Sequence, residues 1–262
     1  LDGQVSDTIH VRTEKGAAWI TLDRPPLNIL DTAMMRELGR ALDGLLATSH
    51  IVVFQGAGPR GFSAGAEVRD HVPERVAEML GAFHDVFRKL ARADCLTIAA
   101  VHGVCLGGGM ELAIFCDFVV ATESAKFGQP EIKLGCYPPV AMVILPQLCG
   151  MRAAMDLILT GRTVDVREAH RLGLVSRIVG DDGLAAGVDA LLTELRALSP
   201  DVLRLTRRTL RQLCAGEFED RLAEAERSYL SELMHTHDAQ EGIRAFLEKR
   251  PPVWQGAKAR AV

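Results

Sequence analysis

Leu96-Thr97-Ile98-Ala99-Ala100-Val101, Leu106-Gly107-Gly108-Gly109-Met110-Glu111-Leu112-Ala113-Ile114-Phe115 and Phe118-Val119-Val120-Ala121 follow one another closely in this chain. The outer two segments are short, apolar and rich in β-branched residues, the composition of strands buried on both faces. Between them a run of three glycines turns the chain into a short apolar helix. Strand, helix and strand in succession predict an α/β domain with largely parallel sheets.

Towards the N-terminus, Ile9-His10-Val11-Arg12 and Ala18-Trp19-Ile20-Thr21-Leu22 flank Glu14-Lys15-Gly16 and predict a hairpin. Arg24-Pro25-Pro26-Leu27-Asn28 reads as a rigid loop, since consecutive prolines cannot donate to a ladder. Asp31 or Thr32 then caps a helix whose apolar face includes Leu38, Leu42 and Leu45. Ile51-Val52-Val53-Phe54 reads as a buried strand leading into a long turn-rich loop, Gly56 to Gly65. From Pro73 to Ala91, Val76, Met79, Leu80, Phe83, Val86, Phe87 and Leu90 recur at helical spacing. The composition changes near residue 185. We therefore divide the chain into an α/β core over 1–184 and a helical region over 185–262, which packs on that core or on a neighbouring subunit.

The 262 residues are 48% hydrophobic and 24% charged, enough to bury a sizeable core. A net charge of −4 with interspersed signs argues against a broad basic face for nucleic acid. The longest apolar region, Cys95 to Ala121, is interrupted by His102, the glycines, Glu111 and Asp117, so no segment reads as a membrane span. The six cysteines form no C-x-x-C pair and no metal-like spacing, and we read them as reduced thiols of a cytoplasmic protein. His235-Thr236-His237-Asp238 lacks a further ligand cluster and reads as a helix end and cap, so no metal is expected.

Two carboxylates stand where apolar surroundings give little structural reason for them: Glu111, after the glycine run, and Glu131, in Phe127-Gly128-Gln129-Pro130-Glu131-Ile132. Apolar neighbours raise a carboxyl towards working pH, which suits a group that takes a proton and returns it. Gly108 offers its N–H at a helix start, where the dipole favours negative charge. Together these are the parts needed to form, hold and reprotonate an enolate. Gly61-Phe62-Ser63-Ala64-Gly65 matches the nucleophile-elbow pattern of serine hydrolases, but a flexible turn rather than a strand precedes it. We read it instead as a loop exposing the Ala66 N–H.

These residues resemble the crotonase superfamily of acyl-CoA enzymes. The similarity runs from Trp19-Ile20-Thr21-Leu22-Asp23-Arg24-Pro25 to Phe246-Leu247-Glu248-Lys249-Arg250 and is most specific in Phe62-Ser63-Ala64-Gly65-Ala66-Glu67, in Gly107 to Asp117, and in Ala125 to Glu131. The resemblance implies a spiral of β-β-α turns with a C-terminal helical trimerisation region, assembled as trimers or dimers of trimers. It implies an oxyanion hole from the N–H groups of Ala66 and Gly108, with Glu111 and Glu131 as catalytic acids. Lys249, and the backbone of Ser63, Ala64 and Gly65, would meet coenzyme A. The substrate would be an acyl-CoA thioester, with no cofactor apart from that coenzyme A.

One departure bears on substrate. Hydratases of linear enoyl-CoAs follow the second glutamate block with a glycine-rich turn whose N–H helps bind water. This chain has Gly135-Cys136-Tyr137-Pro138-Pro139-Val140-Ala141, and the matching Pro139 has no N–H. That feature resembles the branch acting on cyclohexa-1,5-diene-1-carbonyl-CoA, as do Arg24 to Asp31, Asp70-His71-Val72-Pro73-Glu74 and Tyr229-Leu230-Ser231-Glu232-Leu233-Met234. Hydration of a cyclic dienoyl-CoA is therefore the expectation. Hydration of linear enoyl-CoAs, enoyl-CoA isomerisation and a non-catalytic binding role stand as alternatives. Which glutamate is acid and which base stays open at this point, because interacting carboxylates titrate as a pair.

Overall fold

A computed structural model describes residues 8–256 apart from Lys15 and Gly216. The hairpin is present: β1 (Ile9–Glu14) pairs antiparallel with β2 (Ala17–Leu22), Ile9 opposite Leu22. In the proline loop that follows, Asn28 is buried with φ 52°, and its amide nitrogen faces the carbonyls of Ala57, Gly61 and Phe62 at 2.9, 3.0 and 3.2 Å. Arg24 braces the same loop through the Ile29 carbonyl at 3.1 Å and the Asp31 carboxylate at 3.2 Å.

Asp31 caps α1 (Thr32–Leu45) by accepting the Met34 N–H at 2.8 Å. Thr32 is itself held by Asp70, through its N–H at 3.0 Å and its hydroxyl at 2.9 Å. The loop expected from Gly56 to Gly65 contains a strand: after β3 (Ile51–Gly56) comes β4 (Gly61–Ser63), too short for periodicity to reveal. The next helix, α2 (Val76–Arg92), begins later than Pro73. A 3-10 turn over Val68–His71 precedes it, and Val72 is extended (ψ 151°), as a residue before proline prefers.

Then follow β5 (Leu96–Val101), β6 (Val104–Leu106), α3 (Gly108–Phe115), β7 (Phe118–Thr122), β8 (Lys126–Gly128), a 3-10 turn over Pro130–Leu134 and α4 (Pro139–Thr160). β9 (Thr163–Asp165), α5 (Val166–Arg171) and β10 (Arg177–Val179) close the sheets before α6 (Leu184–Arg196), α7 (Pro200–Ala215), α8 (Phe218–Ser231) and α9 (His237–Leu247). The larger sheet runs β1-β2-β3-β5-β7-β10 and is parallel beyond the hairpin. The smaller runs β4-β6-β8-β9, antiparallel only at β8–β9. Each pair β3–β4, β5–β6 and β7–β8 gives its first strand to the larger sheet and its second to the smaller, and α2, α3 or α4 follows. This is the spiral of β-β-α turns.

The helical region does not stand apart. Phe218, Leu222, Tyr229, Met234 and Ile243 join the main core, while Val188, Leu191, Leu192 and Leu195 of α6 cover the other face of the larger sheet with Trp19, Val53, Ile98 and Val120. α9, capped by Thr236 accepting the Ala239 N–H at 3.1 Å, packs against the 130–135 turn. There a Cβ on Gly242 would meet the Leu134 carbonyl carbon at 2.5 Å and its oxygen closer still. α7 differs: Val202, Leu205, Leu210 and Leu213 are exposed. It is fastened by Arg207 and Arg211, which reach Asp117 at 2.7 and 3.0 Å. Asp117 also accepts the Thr97 N–H at 2.8 Å. Burial alone would raise the Asp117 carboxyl, but Arg211 and Arg207 beside it hold it below its ordinary value.

Among the described residues α4 is the one helix long and apolar enough to cross a membrane. Pro146 lies inside it and Gly150 (φ 78°, ψ 157°) breaks it in two, so each half falls short of the ~20 residues a span needs.

Candidate active site

Gly107 (φ 51°, ψ −131°) delivers the chain from β6 into α3 in a conformation open to glycine, and its carbonyl accepts the Glu111 N–H at 2.9 Å as the first helical bond. Glu111 therefore sits in the first turn of a helix whose every residue is buried, itself 2% exposed. Its Oε1 accepts the Ala141 N–H at 2.7 Å, and the neighbouring Val140 N–H favours its charged form from close by. Both donors lie in the first turn of α4, so the positive end of one helix faces a carboxylate presented by another. Burial pushes the Glu111 carboxyl up to about 7, against the opposing pull of those N–H groups.

Glu131 comes from a different element, the 3-10 turn after β8. The Cys136 N–H fixes its carbonyl at 3.1 Å. One carboxyl oxygen lies over Gly107, where a Cβ would come within 2.6 Å of it. With its amide nitrogen turned to that carboxyl, buried Gln129 donates to the two oxygens at 3.3 and 3.1 Å. Burial, and then the Glu111 carboxylate, push Glu131 well above the usual carboxylate range.

Two backbone donors complete the arrangement. Gly108 opens α3, so its N–H has no intrahelical acceptor. At Ala66 the Leu30 N–H donates to Gly65 and the Glu67 N–H donates to Leu30, both at 2.9 Å, which turns the intervening Ala66 N–H to the other side. The two residues adjoin: a Cβ on Gly108 would stand 3.4 Å from the Ala66 nitrogen and 2.9 Å from Cζ of Phe83. Neither N–H has a protein acceptor among the described residues.

The fold thus brings Ala66, Gly108, Glu111 and Glu131 together. Ser63, Ala64 and Gly65 lie directly behind. The Ser63 hydroxyl is fully buried, donates to the Asn28 carbonyl at 2.7 Å and accepts the Gly65 N–H at 3.1 Å, so it is no nucleophile. The Ala64 N–H is spent on the Leu27 carbonyl at 2.9 Å. Lys249 is exposed just beyond α9 at φ 53°, and no hydrogen bond or ion pair joins it to the four groups. A cavity of about 780 Å³ opens at the far end of α3 among Phe115, Ile144, Leu148, Leu210 and Phe218, and none of the four groups lines it. No group of three or more His, Cys, Asp or Glu among the described residues could hold a metal ion.

The sequence reading missed the donors on α4 and the amide of Gln129. Pro138-Pro139 before an apolar run is a helix-start signal that could have placed α4. Nothing in sequence spacing places its first turn against Glu111.

Residues 12–257 match the model of the enoyl-CoA hydratase/isomerase family. The chain belongs to that family. It is an enzyme of the hydro-lyase kind. It is 38% identical over 238 residues to the cyclohexa-1,5-dienecarbonyl-CoA hydratase of Thauera aromatica, covering 90% of this chain and 92% of that one. It is 39% identical over 254 residues to a probable enoyl-CoA hydratase of Mycobacterium leprae, covering 94% and 97%. A crystal structure of an enoyl-CoA hydratase from Mycobacterium avium subsp. paratuberculosis superposes with a TM-score of 0.85 at 27% identity, covering 95% of this chain and 98% of that one. Identity does not separate relatives named for a cyclic substrate from those named as general hydratases.

Proposed function

We propose that this protein adds water to a cyclic conjugated dienoyl-CoA of the cyclohexa-1,5-diene-1-carbonyl type, with Ala66 and Gly108 as oxyanion hole and Glu111 and Glu131 as the proton-handling pair. The observation that carries this reading is the convergence of two unspent N–H groups and two raised carboxyls at the start of α3. The thioester oxygen lies between the N–H groups, which stabilise the charge that develops as water adds; each donor contributes a few kcal/mol. Glu111, held by the Ala141 N–H at the start of α4, which favours its ionised form, takes the proton of the attacking water. Glu131, held protonated by burial and by its neighbour, delivers a proton to carbon. In a conjugated ring the dienolate takes that proton at its far end, giving net 1,4-addition and a hydroxycyclohexene-carbonyl-CoA.

Pro139, the shared blocks noted above and the Thauera relative support the cyclic substrate. The M. leprae relative supports the second reading, hydration of linear enoyl-CoAs. In our reading no cofactor beyond the coenzyme A of the substrate takes part. Exposed apolar residues on α7 and α4 fit a trimer or a dimer of trimers, and the six free thiols fit a cytoplasmic setting. The test is turnover of cyclohexa-1,5-diene-1-carbonyl-CoA and crotonyl-CoA in oxygen-18 water, followed by mass spectrometry. Preferred labelling of the cyclic product is the expected result. Turnover of crotonyl-CoA alone would favour the linear reading, and double-bond migration without label would replace hydration by isomerisation.

A further inference from the structure

The chain has two tyrosines, and they pack against each other beside Glu131. The rings of Tyr137 and Tyr229 are 5.0 Å apart with planes at 76°. Tyr137 lies between Cys136, whose N–H holds the Glu131 carbonyl, and the Pro138-Pro139 start of α4. Its hydroxyl is spent on the Ala225 carbonyl at 3.0 Å. Tyr229 reaches the same place from α8 and is 1% exposed, yet its buried hydroxyl has no hydrogen-bond partner among the described residues. The Cys136 thiol lies beside it, itself donating to the Leu134 carbonyl at 3.6 Å, and offers the hydroxyl only a weak sulfur acceptor. Burial first, then the Cys136 thiol and the Glu131 carboxyl, raise the phenol well above its usual range, so the hydroxyl stays protonated and able to donate. A buried O–H facing no better acceptor than a thiol is costly, so it calls for an oxygen partner present in the working complex.

The start of α4 has the complementary deficit. Pro139 carries no N–H, the Ala141 N–H is given to Glu111, and the Val140 N–H acts on the same carboxylate. An oxygen entering between the glutamates therefore meets backbone donors already directed at Glu111. We propose that the Tyr229 hydroxyl hydrogen-bonds the oxygen of the water that adds to the acyl group, filling the place for which α4 offers no N–H. A neutral phenol donates to that oxygen and leaves the water's own O–H free to be taken by Glu111. The proposal rests on the hydration reading above, for either cyclic or linear substrate.

The test is Tyr229→Phe in the full-length protein, which removes one oxygen and keeps the ring stack. Two rates are compared with wild type: hydration of whichever enoyl-CoA the wild type hydrates, and exchange of the α-protons of a saturated acyl-CoA in deuterium oxide. Exchange uses the N–H pair and a glutamate but adds no water. Hydration is expected to fall about 10- to 100-fold with KM little changed, while exchange stays within about twofold. Unimpaired hydration by the variant overturns the proposal alone, and so does a parallel loss of both rates, which marks a structural role. A wild type that hydrates no enoyl-CoA overturns the functional reading and this proposal with it.

Discussion

The backbone N–H of Ala141 donates to the Glu111 carboxylate at 2.7 Å, so the first turn of α4 holds an acid that belongs to α3. Two successive β-β-α units of the spiral are joined at that bond. It orients the carboxylate and favours its charged form, while burial works the other way.

Replacing either acid separates chemistry from folding. Glu111→Gln keeps an oxygen for the Ala141 N–H, and Glu131→Gln keeps a polar partner for Gln129. Each variant is expected to retain its circular dichroism and thermal midpoint within a few degrees while hydration falls about 10²–10⁴-fold. Full activity in either one would remove the two-carboxylate scheme.

The pH profile follows from the directions of the shifts. Glu111, raised to about 7, must be ionised to accept a proton, so kcat/KM climbs as pH rises through that region. Glu131, raised well above the carboxylate range, must be protonated, so the rate falls again on the alkaline side. The two apparent values belong to the pair. Stability has the opposite sense for the raised groups. Their contribution is complete below the unfolded carboxylate value of about 4.3 and is lost as pH rises through the folded value. The thermal midpoint of wild type should therefore drop relative to Glu111→Gln between mildly acidic and mildly alkaline pH. A difference that stays constant across that window would contradict the assignment.

Gly108→Ala puts a methyl 3.4 Å from the Ala66 nitrogen and against the Phe83 ring. Thioester turnover is expected to fall about 10²–10³-fold, the usual loss for an oxyanion donor. Titration with a non-reactive acyl-CoA should show weakened binding as well. Wild-type turnover would show that the Ala66 N–H serves no oxyanion.

Asp117→Ala leaves Arg207, whose side chain is 5% exposed, facing no carboxylate. The cost should be about 3–5 kcal/mol in urea unfolding, the range for breaking a buried ion pair from one side. A loss below ~1 kcal/mol would show that the Arg207 contacts with the Ala93 and Leu90 carbonyls suffice to hold α7.

Glu111 and Glu131 were legible because a carboxylate in an apolar run conflicts with local patterning, and such conflicts concentrate at functional sites. Gly108 was legible because a helix start leaves its N–H free. The β1–β2 hairpin, α1 and α2 were legible from periodicity alone. β4 and the other three-residue strands were not, since three residues carry no period. Gln129 and the first turn of α4 escaped for a different reason: their partners lie across the fold, and their roles exist only once α3 and α4 are packed. Lys249 was taken from family likeness; it is exposed beyond α9, with no hydrogen bond or ion pair to the glutamates among the described residues.

α9, the last helix among the described residues, presses Gly242 against Leu134 and so buttresses the turn that carries Glu131. Removing α9 would therefore leave that turn without its support, although the two lie more than a hundred positions apart in sequence.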